Sequence, residues 1–196
     1  MLLSMGRPAK YTREQIVDRV LPVFWRHGLE GTTLEHLEAA TDLGRQSLYH
    51  QFRDKADLYQ AALARYQELS DQLLAEIQPP RDDLASVPRF FRRARAFMAT
   101  VDCRVCLAAS VAAGSEGPAE CRQVAQATVQ RVRQGFRTLC ATVASRGDLR
   151  PGLTPEQAAD LLWATGNGAA MLAAVAGEAA AEQTIDHVVQ SLRPSP

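Results

Sequence analysis

Residues 45–52 combine hydrogen-bond donors, a flat ring and two apolar side chains at helical spacing. Leu48 and Phe52 are four residues apart, so on a helix they share one side. A short exposed helix with an apolar back and a donor-rich front can enter the major groove of DNA. The donor-rich front would consist of Arg45, Gln46, Tyr49 and His50.

Two further helices must position this segment. Thr12 followed by Gln15 predicts a capped helix over about Arg13 to His27, and Gly28 is expected to end it. Pro22 lies inside this helix and predicts a kink or the loss of one hydrogen bond.

A second, shorter helix is expected to begin at Thr32 or Thr33. Thr32 with Glu35 fits a capping box, and Thr33 is the other candidate cap. The run Thr41-Asp42-Leu43-Gly44 then predicts the turn before Arg45.

This segment resembles the DNA-binding domain of the TetR (tetracycline-repressor) family of transcriptional regulators. The resemblance by motif covers roughly residues 10–60, and the remainder resembles the family only in length and helical character. The residues that carry it, in order and at the family's spacing, are Gly28, Gly31, Thr32, Thr33, Leu43, Leu48, Tyr49, Phe52 and Lys55.

The resemblance implies a role for each matched position. Arg45, Gln46 and Tyr49 would face bases, and Ser47, His50 and Gln51 would reach phosphates or base edges. Thr33 and Lys55 would contact the phosphate backbone. Three residues depart from the family pattern: Asp42 replaces a glycine, Gly44 replaces a Ser or Thr cap, and Gln51 replaces a common histidine. We expect Asp42 to act as a surrogate cap.

The chain before Thr12 carries Arg7 and Lys10 in a short Gly-Arg-Pro arm. Such an arm resembles those that place arginine in a narrow minor groove. The alternative is a disordered tail with two cations.

Composition limits the possible functions. The 196-residue chain has 22 basic and 22 acidic residues and a formal net charge of zero, which argues against nonspecific, charge-driven DNA binding. No apolar run is long enough to span a membrane. Four cysteines without a secretory leader predict a cytoplasmic protein.

The remaining sequence predicts helices throughout. The fold class is therefore all-α with about nine helices. Residues 1–56 would form the arm and helix-turn-helix domain, and 57–196 a helical effector-binding and dimerisation domain. The last two predicted helices, 158–176 and 182–192, are rich in alanine and glycine. The resemblance implies a homodimer through them, and the alternative is ordinary intramolecular core.

Apolar side chains in the second domain suggest a pocket for a small apolar or aromatic effector. Each of them could instead be core. The candidates are Phe90, Phe97, Met98, Leu107, Val111, Phe136, Trp163 and Met171.

Cys103 and Cys106 form a Cys-x-x-Cys pair, which leaves open buried structural thiols, thiol sensing or metal binding. The spacing of Ser, His and Cys suggests no catalytic set, and no phosphate-binding glycine loop is present. We therefore predict no enzyme, cofactor or metal. Detectable turnover would favour an enzyme, and the absence of a sequence-selective DNA shift would favour a helical interaction module.

Together these observations predict a DNA-binding regulator, and most simply a repressor. It would be released from a palindromic operator by a small effector, or alternatively by oxidation of Cys103 or Cys106.

Overall fold

The computed structural model describes residues 10–103, 105–114 and 117–195. These residues form helices and no strand, as the all-α prediction required. A 3-10 turn (Ala75–Ile77) follows the fourth helix. The α-helices of the described residues are α1 (Arg13–Gly31), α2 (Leu34–Thr41), α3 (Arg45–Gln51), α4 (Lys55–Leu74), α5 (Ser86–Thr100), α6 (Leu107–Ala113), α7 (Ala119–Ser145), α8 (Pro155–Ala176) and α9 (Glu178–Ser191).

The chain divides into two compact units, Met1–Arg65 and Tyr66–Pro196. The division falls inside α4, the same helix that contains the boundary predicted after residue 56. In the part of the chain that the structure describes, no helix has both the length and the apolar character needed to cross a bilayer.

The first unit is built on the predicted face of α1. Ile16, Val20 and Phe24 are fully buried, and the Phe24 ring packs against Tyr59 of α4 with centroids 5.0 Å apart. Burying an apolar side chain of this size stabilises a fold by about 1.5–3 kcal/mol. This core fixes α1 and α4 as the support for the two short helices between them.

The ends of α1 follow the predicted signals. Thr12 and Gln15 form the expected capping box. Gly28 has φ 67° and ψ −177°, so the regular helix ends there and the chain bends, as only glycine does at little cost. Pro22 lies within the helix, and the non-helical residue is Gly28.

The second unit has an aromatic core. Phe90 packs edge-on against Phe91 and Phe136, at centroid distances of 5.2 Å and 5.3 Å. Buried aliphatic residues of α7, α8 and α9 surround these rings. Thr154 caps α8 and Pro155 occupies its first position, whereas α9 begins at Glu178, four residues before its predicted start.

Gly166 of α8 allows Phe91 to pack closely. A Cβ at this position would lie 2.1 Å from Cε1 of Phe91, which is far inside van der Waals contact. The ring of Phe91 therefore occupies the space that any other residue at 166 would need.

We expect Gly166→Ala to reduce the free energy of unfolding by about 1–3 kcal/mol, because overpacking outweighs the helix propensity gained. Urea denaturation of the full chain measures this. Phe91→Leu removes the clashing ring, so in the double variant the cost of the alanine should largely disappear. Strictly additive effects of the two substitutions would show that Phe91 is not the obstacle.

Candidate nucleic-acid interface

Helix α3 has the two faces that its sequence predicts. Leu48 and Phe52 are 0% and 2% exposed, and the Arg13 guanidinium lies 4.0 Å from the centroid of the Phe52 ring. Tyr49 is half-buried. The exposed residues of the helix are Arg45, Gln46, Ser47 and His50.

The start of α3 is held by a residue that the sequence reasoning missed. Gly44 occupies the N-cap position and has no side chain to offer. Glu38 of α2 supplies the missing acceptor, and its Oε1 accepts a hydrogen bond of 2.8 Å from the backbone N–H of Arg45. A carboxylate at a helix N-terminus also interacts favourably with the helix dipole. No short motif identifies Glu38, because it lies seven residues before its partner.

The prediction that Asp42 caps α3 is wrong. Asp42 is the C-cap of α2, with φ 53° and ψ 37°, and its backbone N–H donates to the Glu38 carbonyl at 2.7 Å. Aspartate tolerates this left-handed conformation, which explains how it can replace a glycine in the turn.

The Asp42 carboxylate instead accepts a hydrogen bond from the Lys10 ammonium. This bond lowers the pKa of Asp42 and raises the pKa of Lys10. Lys10 is therefore tethered beside the turn, and any phosphate contact that it makes is shared with Asp42. Arg7, the other predicted contact of the arm, lies outside the described residues.

Thr33, not Thr32, caps α2. The Thr33 hydroxyl accepts from the N–H of His36 at 3.2 Å, and the Thr33 N–H donates to Nδ1 of His36 at 3.3 Å. Thr32 is buried, and its hydroxyl donates to the Gly28 carbonyl. Glu35 was therefore the wrong partner, and His36 completes the capping box.

Lys55 lies next to this cap. Its ammonium donates a hydrogen bond of 3.0 Å to the Thr32 carbonyl. Because a lysine ammonium has three donors, this bond leaves others for a phosphate near Thr33.

Gln51 is turned toward α1. Its side-chain Nε2 donates to the backbone carbonyl of Tyr11 at 3.4 Å, and its backbone carbonyl accepts from the Arg13 guanidinium. Gln51 is half-buried, and its side-chain amide is used to hold the end of α3 against the segment before α1.

The exposed face of α3 forms one wall of an open groove within the first unit. The Arg45 guanidinium lies 5.9 Å from the centroid of the Tyr49 ring, within the range of a cation–π contact. Tyr11 is a part of this surface that the sequence reasoning missed. The groove is lined by Lys10, Tyr11, Leu43, Arg45, Gln46, Ser47, Tyr49, His50, Gln51, Arg53 and Asp54.

The predicted effector residues have different surroundings in the second unit. Phe90 and Phe136 are core, with Trp163 packed against the same cluster, and Leu107 is buried. Phe97 and Val111 are half-buried. Met171 is 63% exposed, and its assignment to a pocket stays a prediction. Met98 does line a cavity, of about 250 Å³, in the second unit.

Comparison with known proteins assigns both units. The family model "Bacterial regulatory proteins, tetR family" matches residues 16–62, and "Tetracyclin repressor-like, C-terminal domain" matches residues 84–189.

Curated relatives match over about a third of the chain. The transcriptional repressor ComR of Escherichia coli is 40% identical over 63 residues, which are 32% of this chain and 30% of ComR. The repressor AcnR of Corynebacterium glutamicum is 37% identical over 65 residues, 33% of this chain and 34% of AcnR. The matched segment thus spans about a third of the length of these relatives.

Solved structures match along nearly the whole chain. A TetR regulator from Chloroflexus aurantiacus has a TM-score of 0.79 at 25% identity, covering 97% of this chain and 100% of that one. A CifR mutant complexed with 26-base-pair operator DNA has a TM-score of 0.77 at 23% identity, covering 95% and 100%. The second likeness is evidence for the fold alone.

We expect Glu38→Ala to weaken the start of α3, because loss of a helix cap costs about 0.5–2 kcal/mol. Amide hydrogen exchange should show faster exchange at the Arg45 N–H. Glu30→Ala, at an exposed acid of α1 in the same unit, is the control. Unchanged exchange at Arg45 in Glu38→Ala would mean that the carboxylate does not hold this helix.

Proposed function

The chain belongs to the TetR family of bacterial regulatory proteins, and we propose that it is a homodimeric, DNA-binding transcriptional repressor released from its operator by a small molecule. The observation that carries this proposal is the outward face of α3. Three side chains suited to base edges are presented there on a helix whose opposite side is fully buried. Membership of a family of regulators also favours this function over an enzyme.

Each exposed residue of α3 has a matching target. Arginine can donate two hydrogen bonds to O6 and N7 of guanine, and glutamine can pair with N6 and N7 of adenine. We assign these roles to Arg45 and Gln46. Tyr49 supplies an apolar ring edge and a hydroxyl beside them, and Ser47 and His50 lie where a phosphate or a neighbouring base would pass.

Thr33 and Lys55 form the second contact, with the phosphate backbone. Thr33 is exposed at the start of α2, and the Lys55 ammonium is fixed by the Thr32 carbonyl beside it. Phosphate contacts set the position of a protein on DNA without reading sequence. Because the chain has no net charge, these few cations must supply the electrostatic attraction.

A strip of apolar and small residues on α8 supports dimerisation. Leu161, Met171 and Val175 are 40%, 63% and 88% exposed, and Ala164 and Gly168 between them are also exposed. Their spacing of three, four and seven residues places them on one side of the helix. Large apolar side chains exposed in a row are typical of a surface that a partner covers. A second copy is the partner that the family relationship supports.

A dimer suits a reading helix of this size. Two copies of α3 in successive major grooves require half-sites roughly 34 Å apart and an operator that is close to palindromic. The effector then acts through linked equilibria. A ligand that binds best when the two reading helices are wrongly spaced for the operator lowers the affinity of the protein for DNA. DNA lowers the affinity of the protein for the ligand by the same factor.

Oxidation at Cys106 is the second candidate for release. Its thiol is partly exposed and shares a hydrogen bond with the Tyr66 phenol, 3.2 Å from Sγ to Oη. Burial raises the pKa of Cys121, and it raises the pKa of Cys140 to about 12, so these two thiols are poor nucleophiles. Among the described residues no group of three or more metal-ligating side chains forms, so a metal switch has less support.

Selection of bound fragments from random double-stranded DNA tests the main proposal. A recovered motif with two inverted half-sites one helical turn apart would support it. Recovery of no common sequence would contradict it.

On the selected fragment, we expect Tyr49→Ala to lose about 1–3 kcal/mol of specific binding, because the ring contacts a base. Lys55→Ala should instead weaken all sequences alike and reduce the salt dependence of binding. Fluorescence anisotropy with specific and scrambled fragments, at several salt concentrations, separates the two effects. Equal losses on both fragments for Tyr49→Ala would refute its base-reading role.

The dimer has its own test. Met171→Lys places a charge in the middle of the α8 strip, so sedimentation velocity should show a shift from dimer to monomer at micromolar concentration. Ala127→Lys, on an exposed position of α7, is the matched control and should leave the dimer intact. If Met171→Lys sediments like the parent, the dimer does not form through this strip.

For the oxidation alternative, hydrogen peroxide would transfer one oxygen to Cys106 as a sulfenic acid, with release of water. Mild peroxide should then release DNA from the parent and from Cys121→Ala, but not from Cys106→Ser. Equal release from the Cys106→Ser variant would remove this candidate.

A further inference from the structure

A cavity of about 250 Å³ lies in the second unit between α5, α8 and the start of α9. Its apolar wall is shallow, because most of it consists of alanines, and the cavity is open to solvent at the exposed residues Ala99 and Ala174. That wall consists of Met98, Ala99, Ala170, Ala173 and Ala174. Its polar wall consists of Arg95, Asp102, Cys103 and Glu178.

Arg95 is the unusual member of this wall. It is only 6% exposed, although arginine is rarely buried without a complete set of partners. Its Nε donates to Oε2 of Glu178 at 2.8 Å, and its Nη2 lies 3.8 Å from Oε1 of Glu182. Its Nη1 is buried and has no hydrogen-bond partner within the described part of the chain.

An unpartnered N–H in a buried guanidinium is costly, since folding removes it from water without replacing that hydrogen bond. An acceptor atom from outside the chain would remove this cost. A molecule bound in the adjoining cavity is the simplest source of such an atom.

The charges of the wall decide what kind of acceptor fits. One guanidinium faces the carboxylates of Glu178 and Asp102, so the cavity carries more negative than positive charge. An anion would be repelled by these carboxylates, whereas the carbonyl oxygen of an amide or ketone would not. The volume lies below the roughly 300–1,000 Å³ of pockets for drug-sized ligands, so the ligand must be small.

We propose that this cavity binds a small neutral molecule whose carbonyl oxygen accepts a hydrogen bond from Arg95 and whose apolar body packs against Met98 and the alanines. This proposal names the chemical class of the effector, and its consequence for DNA binding rests on the proposed function. Glu178, the residue paired with Arg95, is the first of α9 and follows Gly177, where the chain turns from α8. A ligand that draws on Arg95 would therefore act at the corner between the two helices assigned to the dimer.

Methyl-labelled methionine provides a direct test on the full-length protein without DNA. The chain has four methionines, of which Met98 lines the cavity and Met171 lies on the exposed strip. Benzamide is the probe. Benzoate is the control with a negative charge, and toluene is the control without a hydrogen-bond acceptor. We expect benzamide to shift the Met98 methyl signal saturably and leave Met171 unmoved. The two controls should bind at least about tenfold more weakly, because toluene offers Arg95 no acceptor and the benzoate carboxylate is repelled by Glu178 and Asp102.

Two variants guard against misinterpretation. Arg95→Gln should lower the affinity for benzamide by at least about tenfold, because the hydrogen bond from the guanidinium is lost. Ala173→Leu keeps Arg95 and fills the cavity, so it should abolish the Met98 shift, whereas Ala127→Leu on α7 should not. Equal binding of toluene, tighter binding of benzoate, or no Met98 shift with benzamide would each overturn the proposal. None of these results depends on DNA binding. Binding of the selected DNA fragment is measured separately on the same protein preparation.

Discussion

The burial of Leu48 and Phe52 is the interaction on which the proposed DNA-reading face of α3 depends. Helix α3 has seven residues, which is too few for a helix to be stable alone. The free-energy cost of forming the first turn exceeds the stabilisation from the hydrogen bonds of two turns. Two fully buried apolar side chains contribute about 1.5–3 kcal/mol each, enough to hold the helix. Because the buried side is fixed, the outward side is fixed with it, and Arg45, Gln46 and Tyr49 have no other direction to take.

Polar contacts then hold both ends of this helix. Glu38 binds the first N–H of α3, and Gln51 binds the Tyr11 carbonyl at the other end. These residues adjust where the donors of α3 lie without themselves being needed at the bases. A reading helix held at both ends and along its back loses little conformational freedom on binding, which favours specificity.

Much of this was predictable from sequence, for reasons that particular residues make clear. The capping box at Thr12 depends on a neighbour three residues away, so sequence reasoning found it. The two faces of α3 depend only on helical periodicity and were predicted as well. Glu38 acts across a turn and Asp42 adopts a left-handed backbone, and neither fact follows from residue type or spacing.

The place of a pocket could not be predicted from sequence for a different reason. Aromatic residues such as Phe90 and Phe136 suit a pocket wall and a packed core equally well, and only the fold separates the two. The cavity beside Met98 is instead defined by alanines, which leave space, and by Arg95, whose burial no local pattern indicates. A cavity between helices is a property of the whole packing arrangement and has no signature in sequence.

Dimethyl sulfate protection on a selected operator fragment tests the central claim most directly, since this reagent methylates guanine N7 in the major groove and adenine N3 in the minor groove. With α3 in the major groove, bound protein should protect guanine N7 in two clusters about 10 base pairs apart, and alanine at Arg45 should remove protection at one guanine of each cluster. Protection confined to adenine N3, or none at guanine N7, would show that this helix does not read the major groove.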